Sequence, residues 1–247
     1  MKLWRSRKTP RVVFVHAGGV DGRMWRPLGE RLDGMRLLMP DLRGHGGTPL
    51  PPGEYAHADD LLGMLDDLRV KQATFVGASF GGWVALQLAT KAPERVKALA
   101  LLASTNLDRA DDEWSPEIRS FWEREDKLIE ARDIEGAVAL GLRTWKPRPA
   151  VRDLVAEMTR DAFELQKGAE AQPRELPVDL GAISVPTLVV SGGKDPMPDF
   201  AQIADHYAAS IDGAERAVIK NAGHLIALER PDETAELLGP WLKRVSA

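Results

Sequence analysis

Ala73-Thr74-Phe75-Val76-Gly77-Ala78-Ser79-Phe80-Gly81-Gly82-Trp83 is the stretch whose reading decides the fold. Ala73 to Val76 is a short apolar run of strand type, and Phe80 to Lys91 carries a helical pattern. Only three residues separate them, so the chain must turn sharply from strand into helix. A serine at such a turn is held in a strained backbone conformation that lifts its hydroxyl clear of the sheet. The turn also brings backbone segments close together, so the positions two before and two after the serine must be tiny. Gly77 and Gly81 meet that need. The helix behind aims its free N–H groups and positive dipole end at the same spot, which favours a developing negative charge. At this glycine and serine content, Gly-x-Ser-x-Gly arises by chance about 0.07 times per chain. The competing reading is a glycine-rich phosphate-binding turn, and the strand-before, helix-after context favours the serine reading.

Outward from this turn, short apolar runs alternate with longer amphipathic stretches. Strands are expected at Arg11–Val15, Arg36–Met39, Ala73–Val76, Val96–Leu102, Thr187–Val190 and Arg216–Ile219. Helices are expected near Met24–Leu32, Ala56–Leu68, Phe80–Lys91, Asp199–Ala209 and Asp232–Val245. The alternation implies an α/β fold, a mostly parallel central sheet flanked by helices. One stretch departs from it. From Leu107 to Leu180 there is no good strand, only charged helical segments broken by Pro116, Pro147, Pro149, Pro173 and Pro177. That length exceeds an ordinary crossover, so residues 107–180 are expected to form a helical cap, with 1–106 and 181–247 forming the core.

A serine hydroxyl is a weak nucleophile until a base takes its proton. His224, in Asn221-Ala222-Gly223-His224, follows the last strand run, at the strand end where α/β sheets keep their sites. The base needs a carboxylate to set its tautomer and stabilise its cation. Asp195, in Ser191-Gly192-Gly193-Lys194-Asp195-Pro196, also follows a strand directly. Asp199 and Asp205 are rivals whose helix-start and helix-face positions suit capping and solvation, and Asp108 is a weaker alternative. A tetrahedral oxyanion requires two N–H donors, one from Phe80 and one from the loop His16-Ala17-Gly18-Gly19. Gly18 is the expected second donor and Gly19 the runner-up, with His16 bracing the loop by hydrogen bonding.

These segments together resemble the α/β-hydrolase superfamily, over nearly the whole chain. A further piece, Asp41-Leu42-Arg43-Gly44-His45-Gly46, is similar to the family's loop after its next strand, which makes Arg43 and His45 structural. The likeness is strongest to small capped bacterial enzymes that include enol-lactonases, carboxylesterases, carbon–carbon bond hydrolases and cofactor-free perhydrolases. It implies a cap inserted before the strand that leads to Asp195. Only ten residues precede Arg11, where that family has an antiparallel hairpin, so the sheet edge there is expected to be short. Serine in place of aspartate at the elbow suits attack at an acyl carbon, as in an ester or lactone, rather than displacement at an alkyl carbon. Carbon–carbon cleavage or perhydrolysis on the same residues is the enzymatic alternative, and a slow, receptor-like ligand binder is the alternative of another class.

The remaining residues bound the reading. Trp114, Trp122, Trp145 and Phe163 fall in the expected cap, with Trp122 and Trp145 the candidates for lining a substrate pocket and core packing the equal alternative. Trp25 and Trp83 sit at core spacing, and Asp59, Asp60, Asp66 and Asp67 read as a solvated helix face. Cysteine is absent, which excludes disulfides and thiol catalysis and fits a cytoplasmic setting. The five histidines show no metal-ligand spacing, so neither metal nor cofactor is expected. A net charge of -4 without a basic stripe gives no footing on nucleic acid. No transmembrane run occurs, and the basic start from Lys2 to Lys8 does not read as a targeting signal. A small-molecule substrate is the expected partner, and oligomeric state stays open.

Overall fold

Strand β1 (Val12–Val15) shows why its run reads as continuously apolar. Val13 and Val15 point into one apolar cluster, and Val12 and Phe14 into a second on the other face. A strand covered on both faces has no polar alternation to display. The computed structural model describes residues 12–246, so Arg11 and the basic start lie outside the described residues. Among them β1 joins β2 (Leu37–Leu38), β4 (Ala73–Ala78), β5 (Val96–Leu102), β7 (Thr187–Gly192) and β8 (Glu215–Ile219) in one sheet. The order is β2-β1-β4-β5-β7-β8, and every pairing is parallel. Parallel strands place all their carboxyl ends along one edge, where the loops carrying Gly18, Ser79, Asp195 and His224 emerge.

Helices α2 (His57–Asp67), α3 (Phe80–Lys91) and α7 (Asp199–Ser210) cover the face of Val13 and Val15. Helix α1 (Arg26–Gly29), the short α8 (Ile226–Glu229) and α9 (Pro231–Ser246) cover the other. Trp83 and Trp25, 1% and 0% exposed, are the central plugs of the two faces, as their spacing implies. The first expected helix is shorter than its pattern. Asp21 accepts the Arg23 N–H and starts a 3-10 turn at Gly22–Trp25, which leaves α1 only four residues.

Between β5 and β7 run α4 (Pro116–Glu130), α5 (Ile134–Trp145) and α6 (Pro149–Gln166). Two of the prolines that break this region are helix starts, where a missing N–H costs nothing. Ser115 caps α4 by accepting the Ile118 N–H at 3.3 Å, and Asp133 caps α5 through Gly136 at 2.9 Å. The expectation of no strand here is corrected by β6 (Ala171–Pro173), which pairs in parallel with β3 (Gly53–Tyr55). Ala-Gln-Pro has no apolar alternation, so only its distant partner makes it a strand. Among the described residues no helix is long and apolar enough to cross a membrane.

Candidate active site

Ser79 takes φ +48° between β4 and α3, a backbone region that non-glycine residues rarely occupy. Close packing enforces it. A Cβ on Gly77 would land on the Gly81 carbonyl, and one on Gly81 would land on the carbonyl oxygens of Val15 and His16. The serine is fixed from its other side too. Its N–H donates to Leu102 O at 2.9 Å, and its carbonyl accepts from Gly82, Trp83 and Thr105.

The strand ladder continues past the strand ends and sets the loops in step. Ala103 N–H donates to Val190 O at 2.8 Å, Gly193 N–H to Ile219 O at 3.0 Å, and Lys194 N–H to Ala222 O at 2.8 Å. A side chain at Gly192 would collide with the Gly223 carbonyl, so glycine is what lets the loops after β7 and β8 touch. Their contact brings His224 to Asp195, with Nδ1 2.8 Å from Oδ2 and the two side chains 6% and 4% exposed. A carboxylate only accepts, so Nδ1 carries the proton and Nε2 is left as the basic nitrogen. Among the described residues no hydrogen bond joins the Ser79 hydroxyl to His224.

Two N–H groups near the serine are free. Within the loop after β1, Ala17 N–H points to Met24 Sδ at 3.4 Å and Gly19 N–H to His45 Nε2 at 3.3 Å. Among the described residues the Gly18 N–H has no partner, and neither has that of Phe80 at the start of α3. Gly18 lies close to Phe80: a Cβ on it would sit 3.7 Å from the Phe80 Cβ. His16 braces this loop as expected, with Nδ1–H donating to Ala17 O and Nε2 accepting the Leu42 N–H, both at 2.8 Å. Burial lowers His16 to about 4 and His45 to about 3, the latter also disfavoured by its neighbour His16, so both stay neutral and keep accepting. His57 stands edge-on to Phe80, 5.2 Å between centroids, and burial lowers it to about 4.

The helices over the sheet edge supply an aromatic wall. Trp145 ends α5, where Lys146 at φ +46° breaks the helix, and its indole stacks on the His224 ring at 4.4 Å and 25°. Phe200 of α7 lies 4.2 Å from the same ring, and Phe121 of α4 packs edge-on against Trp145 at 5.2 Å. Trp122 goes elsewhere: it packs edge-on against the buried Trp114 at 4.9 Å. Phe163 is half-buried on α6.

The rival acids lie apart from the base. Asp199 does not cap its own helix. Its buried carboxylate accepts the Ser115 N–H at 2.8 Å and the Ser115 hydroxyl at 2.6 Å, tying α7 to the start of α4. Asp205 is exposed and pairs with Arg216, and Asp108 is exposed. Three of the four acids read as a solvated face are in ion pairs, Asp59 with Lys91 and Arg174, Asp60 with Arg43, and Asp66 with Arg95. Arg43 is therefore structural through Asp60, and His45 through Gly19.

Residue Glu229 escaped the sequence reading. It is 4% exposed, and its two oxygens accept the N–H groups of Gly223 and Leu225, at 3.2 and 3.3 Å, on either side of His224. The available signal was a charge directly closing the apolar run Leu225–Leu228, five residues after the histidine.

The chain is similar to 3-oxoadipate enol-lactonase 1 of Acinetobacter baylyi, 24% identical over 96% of this chain and 90% of that one. It is 27% identical to 2-hydroxymuconate semialdehyde hydrolase of a Pseudomonas species, over 96% of this chain and 88% of that one. Among solved structures, a thermophilic esterase from Thermogutta terrifontis superposes with a TM-score of 0.73 at 26% identity, covering 96% of this chain and 91% of that one. The family model described as the alpha/beta hydrolase family matches residues 12–237, and with that match the chain belongs to the α/β-hydrolase family.

Proposed function

We propose that this chain is a serine hydrolase that cleaves an ester or lactone bond of a small molecule through an acyl-enzyme on Ser79. One observation carries the reading: a histidine hydrogen-bonded to a buried carboxylate at 2.8 Å shares the carboxyl edge of the sheet with a serine at φ +48°. In this reading Ser79 Oγ attacks the acyl carbon as Nε2 of His224 takes its proton, and Asp195 stabilises the imidazolium. The Gly18 and Phe80 N–H groups receive the oxyanion. His224 then protonates the leaving alkoxide, and water, activated by the same base, releases the acid. Residues 107–180 act as the cap, with Trp145 lining the acyl pocket, whereas Trp122 packs on the buried Trp114. The absence of cysteine is consistent with work in the cytoplasm.

A fluorophosphonate probe tests the reading directly. It should label Ser79, label the Ser79→Ala protein not at all, and abolish a burst of p-nitrophenol from p-nitrophenyl acetate. An unlabelled Ser79 in a folded protein would sink it.

Carbon–carbon cleavage is the second reading, favoured by the likeness to the 2-hydroxymuconate semialdehyde hydrolase. It requires turnover of a β-diketone-like substrate at least as efficient as that of esters. Turnover near a single event with tight retention of ligand would instead point to a receptor.

A further inference from the structure

The loop that carries His224 is held from within by a group the acyl-transfer scheme does not use. The Glu229 carboxylate folds back from the end of α8 and accepts the backbone N–H on each side of the histidine. Its oxygens lie so close that a Cβ on Gly223 would come within 2.8 Å of Oε1 and 3.0 Å of Oε2. Two further contacts pin the same element. Arg148, ahead of α6, donates to the Glu229 carbonyl at 2.9 Å, and Arg230 donates to Asn221 O at 2.8 Å.

We propose that Glu229 is a positioning residue for His224: its buried carboxylate fixes the backbone on both sides of the base and places a second negative charge beside the His224–Asp195 pair, favouring the protonated ring. The proposal rests on the reading of His224 as the general base. Each oxygen accepts an N–H, and no acceptor for a carboxyl proton is present among the described residues, which suits the ionised form. Burial holds the Glu229 carboxyl above its ordinary range, with the two N–H groups and His224 opposing that rise and Asp195 adding to it.

The other charges around the base are already committed. Arg23, from the turn packed against α8, is bound to Asp21, Glu157 and Asp161. Arg230 faces Asn221 O and Glu233, and Asp199, beside Phe200 on α7, is bound to Ser115 and Arg109. Trp145 and Phe200 bring no charge. Among the described residues Asp195 and Glu229 are the two carboxylates that hydrogen-bond to the imidazole or to the backbone flanking it.

The decisive measurement is an NMR titration of the His224 ring, assigned by its loss in His224→Gln, in the wild type, Glu229→Gln and Glu229→Asp. Removing the charge in Glu229→Gln should lower the His224 midpoint by about half to one pH unit. Glu229→Asp, which keeps the charge, should stay near the wild-type midpoint. In kinetics Glu229→Gln should lose about tenfold in kcat with KM little changed, as expected when only transition-state positioning is lost. Should Glu229→Gln not fold, the carbon-13 titration of the Glu229 carboxyl in the wild type must show it ionised at pH 7. A protonated Glu229 at that pH, or an unmoved His224 midpoint in Glu229→Gln, overturns the proposal. Neither titration requires turnover, so either result is independent of whether Ser79 takes the fluorophosphonate.

Discussion

The loops that carry Ser79, Asp195 and His224 and the helices of residues 107–180 that reach over them are held by different kinds of bond. The loops are set chiefly by main chain against main chain: Ser79 on Leu102, Ala103 on Val190, Lys194 on Ala222, with glycines at the points of contact. The His224 loop adds the Glu229 and Arg230 side chains. The helices above are held by side chains, through the Trp145–His224 stack, the Asp199–Ser115 clasp and the Arg23 ion pairs. Backbone contacts leave almost no positional slack, because a shift in one strand end displaces the next. Side-chain contacts can be exchanged one at a time. The difference teaches that the loops of the proposed site are built stiff and the surface above them adjustable, as one frame carrying many substrates requires.

The stiff half should break hardest. In Gly81→Ala the new methyl group meets the carbonyl oxygens of Val15 and His16, and relief requires β1 to move. The expected cost is at least about 3 kcal/mol, a fall in Tm of roughly 6 °C or more for a chain of this size. Thermal unfolding followed by circular dichroism measures it. A melting temperature within a degree or two of the wild type would mean the turn has room that its packing denies.

Acid should loosen the same half next. His16, His45 and His57 are held neutral by burial, at about 4, 3 and 4, against an ordinary value near 6.5 once unfolded. Between those limits the unfolded chain binds more protons than the folded one, so stability rises with pH across the window. The contribution is full above about pH 6.5 and is lost as the pH falls toward the folded values, by up to about 1.4 kcal/mol per pH unit for each histidine. Urea midpoints at pH 7, 6, 5 and 4.5 should fall accordingly. A flat profile would contradict the neutral acceptor roles of His16 and His45.

The same contrast explains what the sequence reveals. The placement of Ser79, Asp195 and His224 at the carboxyl edge of the sheet is legible because each depends on a local rule, a tight turn or a loop directly after a parallel strand. Which N–H of the loop after β1 stays free depends on His45, 26 residues away, which takes that of Gly19. Glu229 looks like any glutamate near a helix end, and its burial exists only once the loop has folded back. Strand β6 is a strand only because Gly53–Tyr55 lies beside it. Trp122 and Trp145 share a residue type and a region, and the packing of α4 on α5 alone decides which one reaches the histidine. Local rules place the loops of the proposed site, and long-range packing carries the surface above them.

In the adjustable half, Arg23→Ala should cost less than the glycine substitution. It removes contacts to Glu157 and Asp161, whose side chains are 61% and 45% exposed, and such exposed pairs contribute little. Its main effect is on Asp21, 2% exposed, which loses its guanidinium but keeps the Arg23 backbone N–H. About 1–2 kcal/mol is the expected loss in urea unfolding. Asp161→Asn should cost under about 0.5 kcal/mol. Equal costs for the two would shift the importance from Asp21 to the link between the helices and the loop.

Trp145→Leu is the mildest and most informative test. The indole covers the face of His224 at 4.4 Å, where a protonated imidazole is favoured by the ring's negative face. Leucine preserves an apolar wall but removes that face, and the main-chain frame beneath does not depend on it. Tm should change by only a few degrees, whereas kcat/KM for a p-nitrophenyl ester should fall about fivefold to tenfold, equivalent to roughly 1–1.4 kcal/mol. If the loss falls on kcat, the tryptophan acts through the base; if on KM, it acts by lining the pocket. A loss of stability as large as that in Gly81→Ala would erase the distinction between the two halves, because the helices of residues 107–180 would then be part of the frame.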